Sequence, residues 1–130
     1  MTRGLFGATV AVLVAAGCGW AAEHTTDTPA AVKKAVADGK AVLIDVREPD
    51  EWKDGHLAGA KSLPLSDLKA GVPADKLEQL MPTGKVVYLH CAAGGRCLKA
   101  ADLLKAKGFE VRPLKPGYQT LLKDGLEKAK

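Results

Sequence analysis

Aromatic residues are scarce in this chain: two Trp, two Tyr and two Phe among 130 residues, or 5%. A core without them has to be built from Leu, Val, Ile and Ala. Only three cysteines and three histidines occur. None of them falls at the Cys-x-x-Cys or Cys/His spacing that encloses zinc, so no metal site is expected. His24, His56 and His90 are scattered and form no ligand set. The 14 glycines and seven prolines follow no period, which excludes a collagen-like or repeat architecture. No dense basic run is present, and no aromatics interleave with the lysines. The net charge of +4 comes with bases and acids mixed along helical faces, as at Lys33, Lys34 and Asp38, or Lys123, Asp124, Glu127 and Lys128. That is a solvated surface, and no nucleic-acid partner is expected. Uncharged hydrophobic runs of membrane-spanning length are missing beyond the first 22 residues, so a polytopic membrane protein is excluded.

What remains is an ordinary globular composition, 47% hydrophobic and 26% charged, in a chain sized for one domain. Its N-terminus stands apart. Arg3 is followed by an uncharged stretch from Gly4 to Ala22 with small residues at its end, the layout of a secretory signal peptide over residues 1–21. Cleavage after Ala21 leaves Ala22 first. Val14-Ala15-Ala16-Gly17-Cys18 also resembles a lipoprotein signal, with Cys18 as the lipidated residue. An uncleaved anchor is the third alternative. Each exports the domain, to the periplasm or to a membrane face reached only through a lipid anchor. Residues 22–28 are expected as a flexible lead-in to a domain over residues 29–130.

The mature chain alternates helix and strand signals. Thr28, Pro29 and Gly39 bound a helix as cap, first position and stop. Ala41–Val46 and Lys85–His90 are short apolar runs typical of strands buried on both faces. Ala60–Pro64 and Phe109–Val111 are weaker strand candidates. Short helices are expected over Glu48–Gly55, Ser66–Ala70 and Asp75–Leu80, and longer ones over Cys97–Lys107 and Gly117–Leu126. This alternation predicts an α/β fold with a mostly parallel central sheet covered by helices on both faces. Ligands in such folds sit at the carboxyl ends of strands.

Cys91 lies at such an end, followed by Ala92-Ala93-Gly94-Gly95-Arg96 and a helix. The turn's N–H groups, the helix N-terminus and the Arg96 cation all favour an anion there. A thiol in that setting falls from about 8.5 to roughly 3.5–7.5. Cys91 is therefore expected to be a nucleophilic thiolate, the alternative being a small buried hydrophobe.

Several motifs in order resemble the rhodanese-like sulfurtransferases. They are Leu43-Ile44-Asp45-Val46-Arg47-Glu48, Glu51-Trp52, Gly55-His56-Leu57-Ala58-Gly59-Ala60, Val87 through Arg96, and Gly117-Tyr118. The resemblance implies a three-layer fold, with Cys91 as the sulfur-carrying residue and Ala92, Ala93, Gly94, Gly95 and Arg96 as a substrate cradle. It implies no cofactor, a small-molecule donor such as thiosulfate, and a thiol, cyanide-like or protein acceptor. Asp45 and Arg47 are implied to support the pocket, as an ion pair or by touching substrate. The six-residue loop from Cys91 to Arg96 matches the sulfurtransferase branch, where related phosphatases have one residue more. A carrier or redox-partner module without rapid turnover is the other alternative. Cys97 stands where many relatives have Ser. It is either a small packing residue or a redox partner able to form a disulfide with Cys91.

Overall fold

The computed structural model describes residues 21–130. A four-stranded sheet in the order β2-β1-β3-β4 forms the centre, with every adjacent pair parallel. Its strands are β1 (Ala41–Asp45), β2 (Ala60–Ser62), β3 (Val86–His90) and β4 (Arg112–Pro113). The helices are α1 (Pro29–Ala37), α2 (Pro49–Asp54), α3 (Leu65–Ala70), α4 (Ala74–Leu80), α5 (Gly95–Ala106) and α6 (Tyr118–Lys123). β1 and β3 lie side by side in the middle and pair from Ala41–Val86 to Asp45–His90.

Side chains alternate across these two strands, as the pleat demands. Ile44, Val87 and Leu89 point into one apolar cluster with Leu68 of α3, Leu77 of α4 and Ala100, Ala101 and Leu104 of α5. Leu43 and Tyr88 point into the other, with Val32 of α1 and Tyr118 and Leu121 of α6. The two clusters are the two faces of the sheet, each covered by helices, which is the expected three-layer arrangement. Cys91 belongs to the first cluster. The preceding His90 therefore faces the opposite side, toward Asp45 and Tyr118.

Two expectations are corrected. The last strand pairs at Arg112 and Pro113 and not at Phe109–Val111. Gly108, in a left-handed conformation (φ 91°), and the Phe109 N–H bonded to the Leu104 carbonyl finish the end of α5. Phe109 and Val111 pack from the side onto the first cluster. Pro113 is tolerated because β4 is an edge strand. The lead-in is also docked rather than loose. The Thr25 N–H bonds the Pro113 carbonyl at 2.8 Å. Asp27 accepts from the Tyr88 hydroxyl at 2.7 Å and from Arg112 at 2.8 Å. These bonds cover the β4 edge, whose backbone groups would otherwise be open to another chain. The 1–21 signal segment with Cys18 lies outside the described residues except for Ala21.

Candidate active site

β3 ends at His90, and the chain then turns through Cys91–Gly94 into α5. Gly94 caps the helix in the left-handed region, φ 88°. A Cβ there would also meet the Lys115 carbonyl at 2.6 Å, so glycine is required twice over. The turn folds back on the Cys91 side chain. The Gly94 N–H donates to Cys91 Sγ at 3.1 Å, while Cys91 itself is 1% exposed. Of the rest of the cradle, Ala92, Ala93 and Gly95 are exposed and Gly94 is buried.

A second loop, after β4, clamps the first. Gly117 lies so close that a Cβ on it would sit 1.8 Å from the Ala92 carbonyl oxygen. The Tyr118 N–H donates to the Cys91 carbonyl at 3.0 Å. On the far side, the His24 Nε2–H donates to the Gly94 carbonyl at 2.7 Å. The backbone after β4 and the His24 side chain thus fix the loop from two sides.

The Cys91 thiol is held at about 5, against an ordinary value of 9.0. A hydrogen bond from the Cys97 side chain is the largest cause. Burial opposes it, and the N–H groups of Cys97, Ala93 and Gly94 add to it. Cys97 is fully buried. It is pushed above its ordinary value, first by the bond to Cys91 and then by burial. Its single proton has other acceptors in the Gly94 carbonyl at 3.1 Å and the Leu114 carbonyl at 3.3 Å. A thiolate is a stronger acceptor than a carbonyl, which favours donation to Cys91 when Cys91 is ionised. Both cysteines are free thiols, and the two are not joined.

Arg96 follows the cradle glycines in the first turn of α5. Its guanidinium makes a two-pronged pair with Glu51, Nη1 to Oε1 at 2.6 Å and Nη2 to Oε2 at 2.9 Å. The acidity of Cys91 comes mainly from a neighbouring thiol and loop amides, with the cation turned to a carboxylate. Arg96 holds Glu51 at about 2. Nothing in the sequence joins residues 51 and 96; only the meeting of α2 with the loop does.

Asp45 and Arg47 form the ion pair that was one of the two expected roles. Arg47 Nη2 lies 2.8 Å from Asp45 Oδ2, and the side chains are 5% and 1% exposed. Arg47 also donates to the Gly55 carbonyl at 2.8 Å and lies over the Tyr118 ring, 4.1 Å from its centroid. His90 Nε2 approaches Asp45 at 3.7 Å, and burial, the first cause, pushes the imidazole below its ordinary value. Trp52 stacks on His56 with centroids 3.6 Å apart, a packing contact beside the pocket.

The model of the rhodanese-like domain matches residues 28–124. The chain is 42% identical over 81 residues to the uncharacterised protein YqhL of Bacillus subtilis, a match covering 62% of this chain and 60% of that one. It is 35% identical over 98 residues to the probable adenylyltransferase/sulfurtransferase MoeZ of Mycobacterium tuberculosis, covering 75% of this chain but 24% of the relative. The chain therefore spans less than two thirds of the length of both. Among solved structures, the human single-domain sulfurtransferase TSTD1 superposes with a TM-score of 0.58 at 26% identity, covering 71% and 89% of the two chains. The rhodanese-like domain of an Anabaena protein gives a TM-score of 0.64 at 26% identity, covering 78% and 75%. With the domain model matching residues 28–124, the chain belongs to the rhodanese-like domain family.

Proposed function

We propose that this domain is a sulfurtransferase that moves a sulfane sulfur through a persulfide on Cys91. The observation that carries the reading is the Cys91 sulfur itself, acidified to about 5 and receiving the Gly94 N–H at 3.1 Å. At neutral pH it is ionised without a general base. The thiolate attacks the outer sulfur of a donor such as thiosulfate. A new S–S bond forms, and sulfite leaves with the electron pair of the old one. A thiol, cyanide-like or protein nucleophile then takes the outer sulfur, and the Cys91 thiolate is the leaving group. The loop N–H groups act as fixed donors to the persulfide anion, as oxyanion donors do elsewhere. Purified protein given thiosulfate and cyanide is expected to form thiocyanate, and Cys91→Ser to lose that activity entirely. Turnover retained in the serine variant, or hydrolysis of a phosphate ester in its place, would overturn the assignment.

Export belongs to the same proposal. It rests on the uncharged run over residues 4–22. Cleavage after Ala21 would turn the Ala22 nitrogen, now 2.7 Å from Asp102 Oδ1, into an ammonium facing that carboxylate. Mass analysis of the N-terminus from the native host is expected to show a free Ala22 or a lipidated Cys18. An intact Met1 contradicts both.

A further inference from the structure

We infer that Glu51 determines donor choice at the Cys91 site: by occupying the Arg96 guanidinium, it disfavours compact dianions such as thiosulfate relative to persulfides of organic thiols, whose charges are spread along the molecule. The inference rests on the sulfurtransferase reading and adds a residue and a donor class to it.

Arg96 is the loop's own cation, and its charge draws a small dianion toward the loop. Both of its terminal nitrogens donate to Glu51, at 2.6 and 2.9 Å, and the carboxylate offsets its charge. Two parallel N–H···O bonds are the geometry in which a guanidinium binds an oxyanion, so the carboxylate stands where such a head group would. Glu51 is not a loose surface residue that swings aside. It is the third residue of α2, and its Oε1 also accepts the Glu48 N–H at 3.2 Å in a reciprocal capping box. Glu48 in turn accepts from the Ser66 hydroxyl at 2.6 Å, which ties the start of α2 to α3. The carboxylate is ionised throughout the physiological range.

Beside this pair opens a cleft of about 310 Å³, lined by Glu51, Asp54, Tyr118, Gln119 and Lys128 among others. That volume is at the lower end for small organic ligands. Its wall carries both charge signs. None of residues 91–96 lines the cleft, so only a donor long enough to pass the Glu51–Arg96 pair brings amino and carboxylate groups to that wall; thiosulfate, three oxygens and a sulfur around one sulfur, has nothing to place there. Loading from such a donor is balanced: the Cys91 thiolate attacks the outer sulfur of R–S–S⁻, forming the Cys91 persulfide and releasing the thiolate R–S⁻.

The test is Glu51→Gln, which keeps an amide oxygen for the Glu48 N–H and removes the charge. Persulfide formation on Cys91 is measured with thiosulfate and with glutathione persulfide. KM for thiosulfate is expected to fall roughly fivefold, the scale of a partly exposed ion pair, with no gain for glutathione persulfide. A KM for thiosulfate that is unchanged or higher overturns the inference, as does an equal gain for both donors. A second readout needs no turnover: inorganic sulfate, a dianion without transferable sulfur, is titrated as a protectant of Cys91 against iodoacetamide. Protection of Glu51→Gln at roughly fivefold lower sulfate is expected; identical curves contradict the gate. If neither protein forms a persulfide with either donor, the sulfurtransferase reading fails, while the sulfate titration still decides whether Glu51 blocks Arg96. Glu51→Asp keeps the charge but shortens its reach to Arg96, and is expected to shift both readouts in the same direction should the glutamine variant not fold.

Discussion

Two arginines stand beyond the carboxyl ends of the two central strands, and each faces an acid. Arg47 follows β1 and pairs with Asp45 where both side chains are at most 5% exposed. Arg96 follows β3 and pairs with Glu51 where both are about one-third exposed, at 34% and 35%. The chemistry is the same and the role differs, because water decides how much of each pair's energy can be replaced. Removing one partner of a buried pair strands the other charge and costs about 3–5 kcal/mol. Removing one partner of an exposed pair costs about 0–1 kcal/mol. The first pair belongs to the scaffold. The second is adjustable, which suits a group at the mouth of a reactive loop.

The comparison breaks most directly at Arg47. Arg47→Met is expected to lower unfolding stability by about 3–5 kcal/mol in a urea titration, and also frees the Gly55 carbonyl. Arg96→Met, measured the same way, is expected to change stability by less than about 1 kcal/mol. Equal losses in the two variants would erase the distinction. Between these extremes lies the clamp on the loop. In Gly117→Ala, the added methyl meets the Ala92 carbonyl at 1.8 Å, so the two loops have to separate. A stability loss of about 1–3 kcal/mol is expected, together with a larger fall in Cys91 alkylation rate than either arginine variant shows.

Much of the scaffold half was legible in the sequence. The apolar runs at 41–46 and 85–90 fixed two buried strands, and Thr28-Pro29 marked a helix start that the Thr28 side chain caps, accepting from the Ala31 N–H at 3.2 Å. Cys91 was legible because nucleophile, turn glycines and helix start are contiguous. What could not be read were contacts between distant segments. Glu51 reaches Arg96 across 45 positions, and His24 reaches the Gly94 carbonyl across 70. The segment Leu114–Tyr118 was marked in the sequence by its Gly117-Tyr118 motif, but nothing there announced that its backbone supports both cysteines. Polar residues 23–28 looked free because their partners Tyr88, Arg112 and Pro113 lie on strands assembled elsewhere.

Smaller effects sharpen the electrostatic side. Cys91 is acidic chiefly through Cys97 rather than Arg96. Its iodoacetamide reactivity is expected to hold from neutral pH down to about 5 and to fall below it, as the thiolate is protonated. The sign for stability follows: a thiol lowered from 9.0 in the unfolded chain to about 5 contributes fully above pH 9, progressively less as the pH falls, and nothing below about 5. Cys97→Ala removes the hydrogen bond and is expected to raise the midpoint by about one to two pH units. Cys97→Ser keeps a donor and is expected to leave it near that of the parent. A midpoint unmoved by the alanine change would reassign Cys97 to packing alone.

The central claim is that Cys91 carries the transferred sulfur, and one measurement reaches it without assuming an acceptor. The protein is treated with a sulfane-sulfur donor, glutathione persulfide or thiosulfate, then freed of it and weighed intact and after digestion. The account predicts the mass of one added sulfur atom, confined to the peptide containing Cys91, removed by cyanide, and missing from Cys91→Ser. Added sulfur on another residue, or none on Cys91 with either donor, would contradict it.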